Sequence, residues 1–328
     1  MKEFIIPAGP QKGRKIKFGR KRPRVVHPHL KLRNYLRMAL PSPPTSCDFT
    51  PAAMPVLSDI YGNDSLGDCV IAGGYHVVGV ETGNSGTLFH ASSAQIVSDY
   101  SAIGGYVPGD PSTDNGCDLQ TALAYWTSNG FANGTKLYGY LAVDATNWTE
   151  VMTACWLFEN LYLGLELPDS YVNPFPSASG FTWDDDSPDP NNGHCIMSPA
   201  KYASGGLGID TWGMIGTFTQ AALAHLCSPG AGGELWVMLT PDQLMKGASK
   251  APNGVDWVSI LQDFNSMGGN VPVPSPTPPS PPGPAPTTAP TRDQVLAAID
   301  AAFTGGHALL TRGQAKTQAE AAVAPLWP

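Results

Sequence analysis

Asn63-Asp64-Ser65-Leu66-Gly67-Asp68-Cys69-Val70-Ile71-Ala72-Gly73-Gly74-Tyr75-His76 is a turn that hands a cysteine to the start of an apolar helix. Gly67 permits a tight approach, Asp68 is placed to cap, and a run of small and aliphatic residues begins directly after Cys69. There the unpaired N–H groups and the positive end of the helix dipole favour a thiolate, the form of cysteine that attacks carbonyl carbon. A lone cysteine in an apolar run is otherwise a buried, inert hydrophobe. Partners elsewhere in the chain decide between the two.

Outward from Cys69, the helix is expected to run towards Val80 and to stop at the breaker cluster Glu81-Thr82-Gly83-Asn84-Ser85-Gly86. Further helices are expected over Ser92 to Ala102, over Asp118 to Asn129 with Leu119, Ala122, Leu123 and Trp126 on one stripe, and over Asn147 to Glu159. The pattern then changes. Leu161 to Leu167, Cys195 to Tyr202, Gly208 to Trp212 and Leu235 to Leu239 are short apolar runs bounded by Gly, Pro and Asp, as strands are. Helices first and strands later imply an α+β body in two lobes.

The strand half supplies the partners. His194 stands at the start of one expected strand and Asp210 at the end of the next. A histidine and an acid on neighbouring antiparallel strands can meet side by side, the acid fixing the imidazole tautomer while the other nitrogen faces a thiol. Asn63, six residues before Cys69, carries an amide that can join the Cys69 N–H in holding an oxyanion.

In this order the motifs resemble those of the papain-like cysteine peptidases. An amide side chain precedes the nucleophile by six residues (Asn63, where the peptidases usually carry Gln), and Gly67-Asp68-Cys69 matches the Gly-x-Cys turn. Asn115-Gly116-Cys117-Asp118-Leu119 looks like the Gly-Cys that opens a second helix; Gly193-His194 matches the histidine, and Asp210-Thr211-Trp212-Gly213 resembles the Asn-Ser-Trp-Gly sixteen residues beyond it. Gly233 to Leu239 is similar to the closing strand, so the likeness spans roughly residues 57 to 240. More narrowly, the chain looks like papain-fold proteins encoded by bacteria and their tailed phages. The resemblance implies an α+β, papain-like two-lobed fold, a helical lobe followed by an antiparallel β-barrel-like lobe. It also implies Cys69, His194 and Asp210 as a catalytic triad, Asn63 in the oxyanion hole and Trp212 shielding the His–Asp pair. Asp210 stands where Asn is usual, and Asp68 puts a carboxyl beside the thiol. Leu66 replaces the cysteine that would pair with Cys117, so that disulfide is not expected.

Composition bounds the rest. Charged residues make up 14% of the 328, hydrophobic ones 42%, and Gly 36 with Pro 32 indicates many turns and an unstructured stretch. The net charge of −8 hides an asymmetry, for twelve of the nineteen Lys and Arg lie between Lys2 and Arg37 against Glu3 alone. Residues 1–45 are read as a basic Pro/Gly-rich extended arm whose stretch 1–37 can grip nucleic acid phosphates or an acidic protein surface, that of its own body included. Residues 46–245 are the papain-like body, 246–270 a connecting segment, 271–291 a Pro-rich linker, and 292–328 a helical hairpin suited to docking an assembly partner.

Six widely spaced cysteines read as free thiols; no Cys-x-x-Cys or His-x-x-x-His pair indicates a metal site, and no cofactor is expected. His76, seven residues after Cys69, is expected to be an ordinary core or surface histidine. No secretory h-region or membrane-length run is found, which points to the cytoplasm of a bacterial host or a phage virion and to no membrane partner. Two functions follow: a cysteine hydrolase acting on peptide, isopeptide or amide bonds of a protein or peptide substrate, or a virion decoration or connector in which the triad is unused.

Overall fold

The first fifty residues contribute five short strands, β1 (Glu3–Ile5), β2 (Lys15–Lys17), β3 (Arg20–Lys21), β4 (Leu30–Lys31) and β5 (Cys47–Asp48), in a computed structural model that describes residues 3–9, 11–23, 29–36, 42–241 and 257–266. The helical part follows with α1 (Met54–Leu57), α2 (Cys69–Asn84), α3 (Ser93–Gly104), β6 (Cys117–Asp118) and α4 (Leu119–Ser128). Then come β7 (Gly139–Ala142), α5 (Trp148–Phe158), β8 (Leu161–Glu166), β9 (Thr182–Trp183), β10 (Gly193–Lys201), β11 (Gly206–Thr211), β12 (Met214–Thr219), α6 (Gln220–Leu226), β13 (Glu234–Leu239) and α7 (Trp257–Ser266). The fold is α+β.

Its centre is a nine-stranded sheet in the order β4-β7-β13-β8-β10-β11-β12-β9, with β5 also paired to β10. The long strands β8, β10, β11, β12 and β13 pair antiparallel, and β4 and β9 join in parallel at the two ends. Both faces are covered, which is why β8 and β13 are buried at every position instead of alternating apolar with polar. Alternate residues therefore serve two cores. Leu161, Leu163 and Leu165 of β8 with Leu235 and Val237 of β13 pack towards α5 and α6, whereas Tyr162, Trp236 and Met238 pack towards α2, α3 and α4.

Helix α2 is the axis of the second core. Every residue from Cys69 to Glu81 is buried, so that stretch has no solvent face, and glycines let neighbours approach its backbone. Gly73 faces Tyr162, Gly74 the Trp126 ring of α4, and Gly79 Val56 of α1. A buried polar clasp fixes its far end: the Glu81 carboxylate accepts from Asn160 Nδ2 (2.9 Å) and from the Thr240 hydroxyl, tying α2 to the ends of β8 and β13.

Elements expected from the sequence at Leu161, Cys195, Gly208 and Leu235 all form, with ends shifted by one or two residues. Strands β7 and β12 and helix α6 were not anticipated; β12 alternates buried and half-buried residues and lies one two-residue turn after β11. The described parts of the 1–45 arm do not project from the body. Strand β3 lies against β6, and β4 joins the sheet edge. The Pro-rich linker and the 292–328 hairpin lie outside the described residues, and α7 is the described part of the connecting segment. Among the described residues no helix is long and apolar enough to cross a membrane.

A Cβ added at Gly74 would stand 2.3 Å from the Trp126 ring, which is itself fixed by stacking on Phe131 at 4.3 Å and by Nε1–H donating to Asp99 at 3.1 Å. Gly74→Ala is therefore expected to destabilise the fold by about 1–3 kcal/mol. In urea this appears as a lower midpoint at unchanged slope; an unchanged midpoint would contradict this packing.

Candidate active site

Three element ends converge. Cys69 opens α2, His194 lies at the start of β10, and Asp210-Thr211 closes β11; together with His76 and Trp212 they line one cavity of about 20 Å³. That is room for a single water.

The β11–β12 turn shapes one wall. Trp212 and Gly213 both take positive φ (51° and 72°), the requirement of a two-residue hairpin whose twist matches its strands. Tryptophan is rarely held in that conformation. Here its ring stacks on His194 (4.8 Å between centroids, 21° between planes) and meets Phe175 at 4.8 Å, so aromatic packing offsets the backbone cost.

The imidazole of His194 is fixed on its other side by Thr211, not by Asp210. Nε2 lies 3.0 Å from the Thr211 hydroxyl, and Nδ1 has no hydrogen-bond partner. The reason is strand parity. His194 and Thr211 share a sheet face with Ile196 and Ile209, while Asp210 lies opposite Met197 on the α2 side. There the Asp210 carboxylate meets His76, Oδ2 standing 3.1 Å from Nδ1, and His76 Nε2 lies 2.9 Å from the Asp59 carbonyl. His76 is thus a wall of the cavity, not a bystander. Positions 69, 72, 73 and 76 form one helical face, and that spacing was visible in the sequence.

Asp68 does not cap α2. Its carboxyl is fully buried without a cap hydrogen bond, and desolvation pushes it well above the usual carboxylate range. Burial likewise pushes the Cys69 thiol up to about 11, although backbone amides of Gly19, Cys195 and Arg20 pull the other way. Desolvation brings His194 down to about 3 and His76 to about 4, and raises Asp210. Burial thus disfavours the charged form of each of these groups. All six cysteines are free.

What dries the site is the arm. Residues 17–22, Lys-Phe-Gly-Arg-Lys-Arg, run through the cleft as an extended strand beside Cys69. Lys17 N–H donates to the Asn63 carbonyl (3.2 Å), and Asn63 Nδ2 donates to the carbonyls of Lys17 and Leu66 (3.1 Å each), so the amide expected in an oxyanion hole is engaged by the arm. Phe18 packs edge-on against His194 at 5.7 Å and against Trp212 at 6.4 Å. The Gly19 carbonyl accepts from Cys117 N–H at 3.0 Å. Arg20 is buried, donating to Glu234 Oε1 at 2.5 Å and to the Gly232 carbonyl at 2.7 Å, while Arg22 forks onto Glu166. Beyond Arg20 the cleft widens into a cavity of about 600 Å³ lined by Arg22, Gln120, Glu234 and Trp236 among others.

Charge reinforces this docking. Although burial opposes both shifts, the 2.8 Å contact between Lys17 and Asp114 holds Asp114 below and Lys17 above their ordinary values of 3.8 and 10.5, with Tyr100 and the Gly67 N–H also on Asp114. A depressed carboxylate stabilises above its ordinary value and loses that contribution as pH falls through its folded one; a raised lysine does the reverse. The contact therefore holds the arm across the range between those two values and releases it in acid.

No family model matches this sequence, and no curated protein sequence does. Solved structures are similar to it. Xylellain, a cysteine protease from Xylella fastidiosa, shares 13% identity over 69% of this chain and 98% of its own, at a TM-score of 0.48. ProCathepsin B S9 from Trypanosoma congolense shares 11% over 72% and 92%, at 0.49. Digestive procathepsin L 3 of the Tenebrio molitor larval midgut shares 14% over 64% and 76%, at 0.46. With identities this low, the roles of individual residues follow from this chain's own geometry.

Cys47 makes a contrast within the same molecule. It is half-buried, and the neighbouring Cys155 thiol, 3.9 Å away, together with Lys201 lowers it below an ordinary thiol. At pH 8, iodoacetamide is expected to label Cys47 at least about tenfold faster than Cys69 in the native protein. Labelling read by peptide mass spectrometry with Cys69 equal to or ahead of Cys47 would contradict the covered, desolvated site.

Proposed function

We propose that this chain is a papain-like cysteine hydrolase acting on peptide, isopeptide or other amide bonds, and that it is held in a latent state by its own N-terminal arm. The observation that carries the proposal is the convergence of Cys69 and His194 on one cavity, with the histidine oriented from both sides. A neutral imidazole whose Nε2–H donates to Thr211 leaves Nδ1 as the basic nitrogen, and Nδ1 is the atom without a partner.

When the arm leaves and a substrate enters, Cys69 Sγ loses its proton to His194 Nδ1 and attacks the carbonyl carbon. The same proton passes to the leaving amine, and water then hydrolyses the thioester with His194 as base. The helix start at Cys69 and the Asn63 amide, freed from the Lys17 carbonyl, are aimed to stabilise the oxyanion. Thr211 takes the orienting role that the sequence assigned to Asp210, and Trp212 keeps water off the imidazole. Asp210 acts on the opposite wall, with His76.

The test uses the full chain with Arg20→Gln, which removes the guanidinium from the Glu234 pair and loosens the arm. Hydrolysis of a fluorogenic peptide is expected to appear, to fall by about 10²–10⁴-fold with His194→Ala, and to fall by about 3–10-fold with Thr211→Val, the loss of one hydrogen bond. Asp210→Asn is expected to cost less than Thr211→Val. If Cys69→Ala leaves the hydrolysis unchanged, the enzyme reading is wrong, and the body is a scaffold with an unused site.

A further inference from the structure

The cleft around the arm has been cleared of side chains. A Cβ on Gly116 would stand 1.9 Å from the Gly19 carbonyl oxygen, one on Gly193 would stand 2.1 Å from that of Arg20, and one on Gly164 would stand 2.8 Å from Arg20 Nε. From the arm's own side the fit is as tight: a Cβ on Gly19 would stand 1.7 Å from the carbonyl oxygen of Gly67, two residues before Cys69. Real Cβ contacts are never that short, and at Gly19, Gly116 and Gly193 what stands in the way is backbone, which cannot swing aside as a side chain can. The residue that lies beside Cys69 must therefore be glycine.

The next residue meets the opposite condition. Arg20 enters a buried slot where the Glu234 carboxylate and the Gly232 carbonyl take its guanidinium, and Gln120 Nε2 and Trp236 Nε1 donate to the second Glu234 oxygen at 3.2 and 3.1 Å. A buried carboxylate held in this way needs a cation, and a fork-shaped one suits it best. Glycine followed by arginine is thus the pattern that the cleft accepts.

We propose that the Cys69 cleft selects basic peptide segments by a Gly-Arg pair, glycine admitted by the gap between Gly67 and Gly116 and arginine bound by Glu234, and that residues 17–22 are an internal copy of that ligand. The proposal deepens the hydrolase reading by naming its substrate class; the binding step it describes does not require that Cys69 be reactive.

The experiment uses full-chain protein with Gly19→Ala, whose added methyl should expel the arm, and in parallel full-chain Arg20→Gln, which keeps the test open should the first variant fail to fold. In each, iodoacetamide labelling of Cys69 is expected to rise at least about tenfold over the natural sequence. A synthetic peptide of residues 14–23 is then added in excess. It should restore protection of Cys69, while the same peptide carrying Gly19→Ala should protect about 10–100-fold less well by concentration, and one carrying Arg20→Gln at least about 30-fold less well. Placing Glu234→Gln in the protein should erase the preference for arginine and leave the preference for glycine. Equal protection by the glycine and alanine peptides, or none by either, overturns the proposal. Mass spectrometry of the same peptides separates the two levels: selective protection without cleavage sinks the hydrolase reading and leaves the selection standing. Cleavage with no preference between the peptides sinks the selection and leaves the hydrolase.

Discussion

One backbone can lie directly on another only where no Cβ stands between them, and this constraint organises the whole site. Gly19, Gly116 and Gly193 come from the arm, the residue before β6 and the first residue of β10, three places far apart in sequence. Each is bare where two backbones meet, Gly19 at the Gly67 carbonyl, Gly116 at that of Gly19 and Gly193 at that of Arg20. The strand of residues 17–22 can therefore lie between the helical part and the sheet close enough for Gly19 and Arg20 amides to reach the Cys69 sulfur. A side chain at any one of these glycines would lift the arm off the thiol.

Exclusion of water then sets the chemistry of the resting state. With the arm in place, desolvation raises Cys69 and Asp210 and lowers His194 and His76, so charge separation between thiol and imidazole is disfavoured. Removing the arm readmits water and hydrogen-bonding substrate groups to the sulfur, which moves the thiol and imidazole towards each other's range. The same segment thus covers Cys69, engages the Asn63 amide and keeps the site desolvated. Its anchors are electrostatic and sit away from Cys69: Lys17 on Asp114, Arg20 on Glu234, Arg22 on Glu166. An anchor can therefore be loosened, and Cys69 uncovered, without changing the residues that line the Cys69 cavity.

Much of this was legible in the sequence. The turn into Cys69, the four main helices and the four central strands carry strong local signals, a breaker after an apolar run or a β-branched and aromatic run between Gly and Pro, and all form near their expected ends. The partner of His194 was not legible. Asp210 and Thr211 are neighbours on one strand, and only the bulged register between β10 and β11 decides which of the two faces the imidazole. His76 is the buried, hydrogen-bonded histidine that its place on an apolar helix implies; its second role, as a cavity wall one helical face along from Cys69, depends on tertiary packing. The arm was the largest surprise. A basic Pro/Gly stretch with no periodicity reads as an extended arm without a fixed site, and the pairing that places it in the cleft involves two residues of β3, Gly19 and partners about a hundred positions away. Its own acidic body was among the partners its charge allowed.

Hydrogen exchange of the native full chain tests the docked arm most directly. Peptides covering residues 15–22 and 115–120 carry the amides of Lys17, Gly19, Arg20 and Cys117, which lie in the cleft or donate within it. At neutral pH these should exchange together and as slowly as amides of β8 and β10, and the protection of both peptides, taken relative to the intrinsic exchange rate at each pH, should fall as acid protonates Asp114. Complete exchange of residues 15–22 within seconds, while β8 and β10 stay protected, would contradict the arm's place over Cys69.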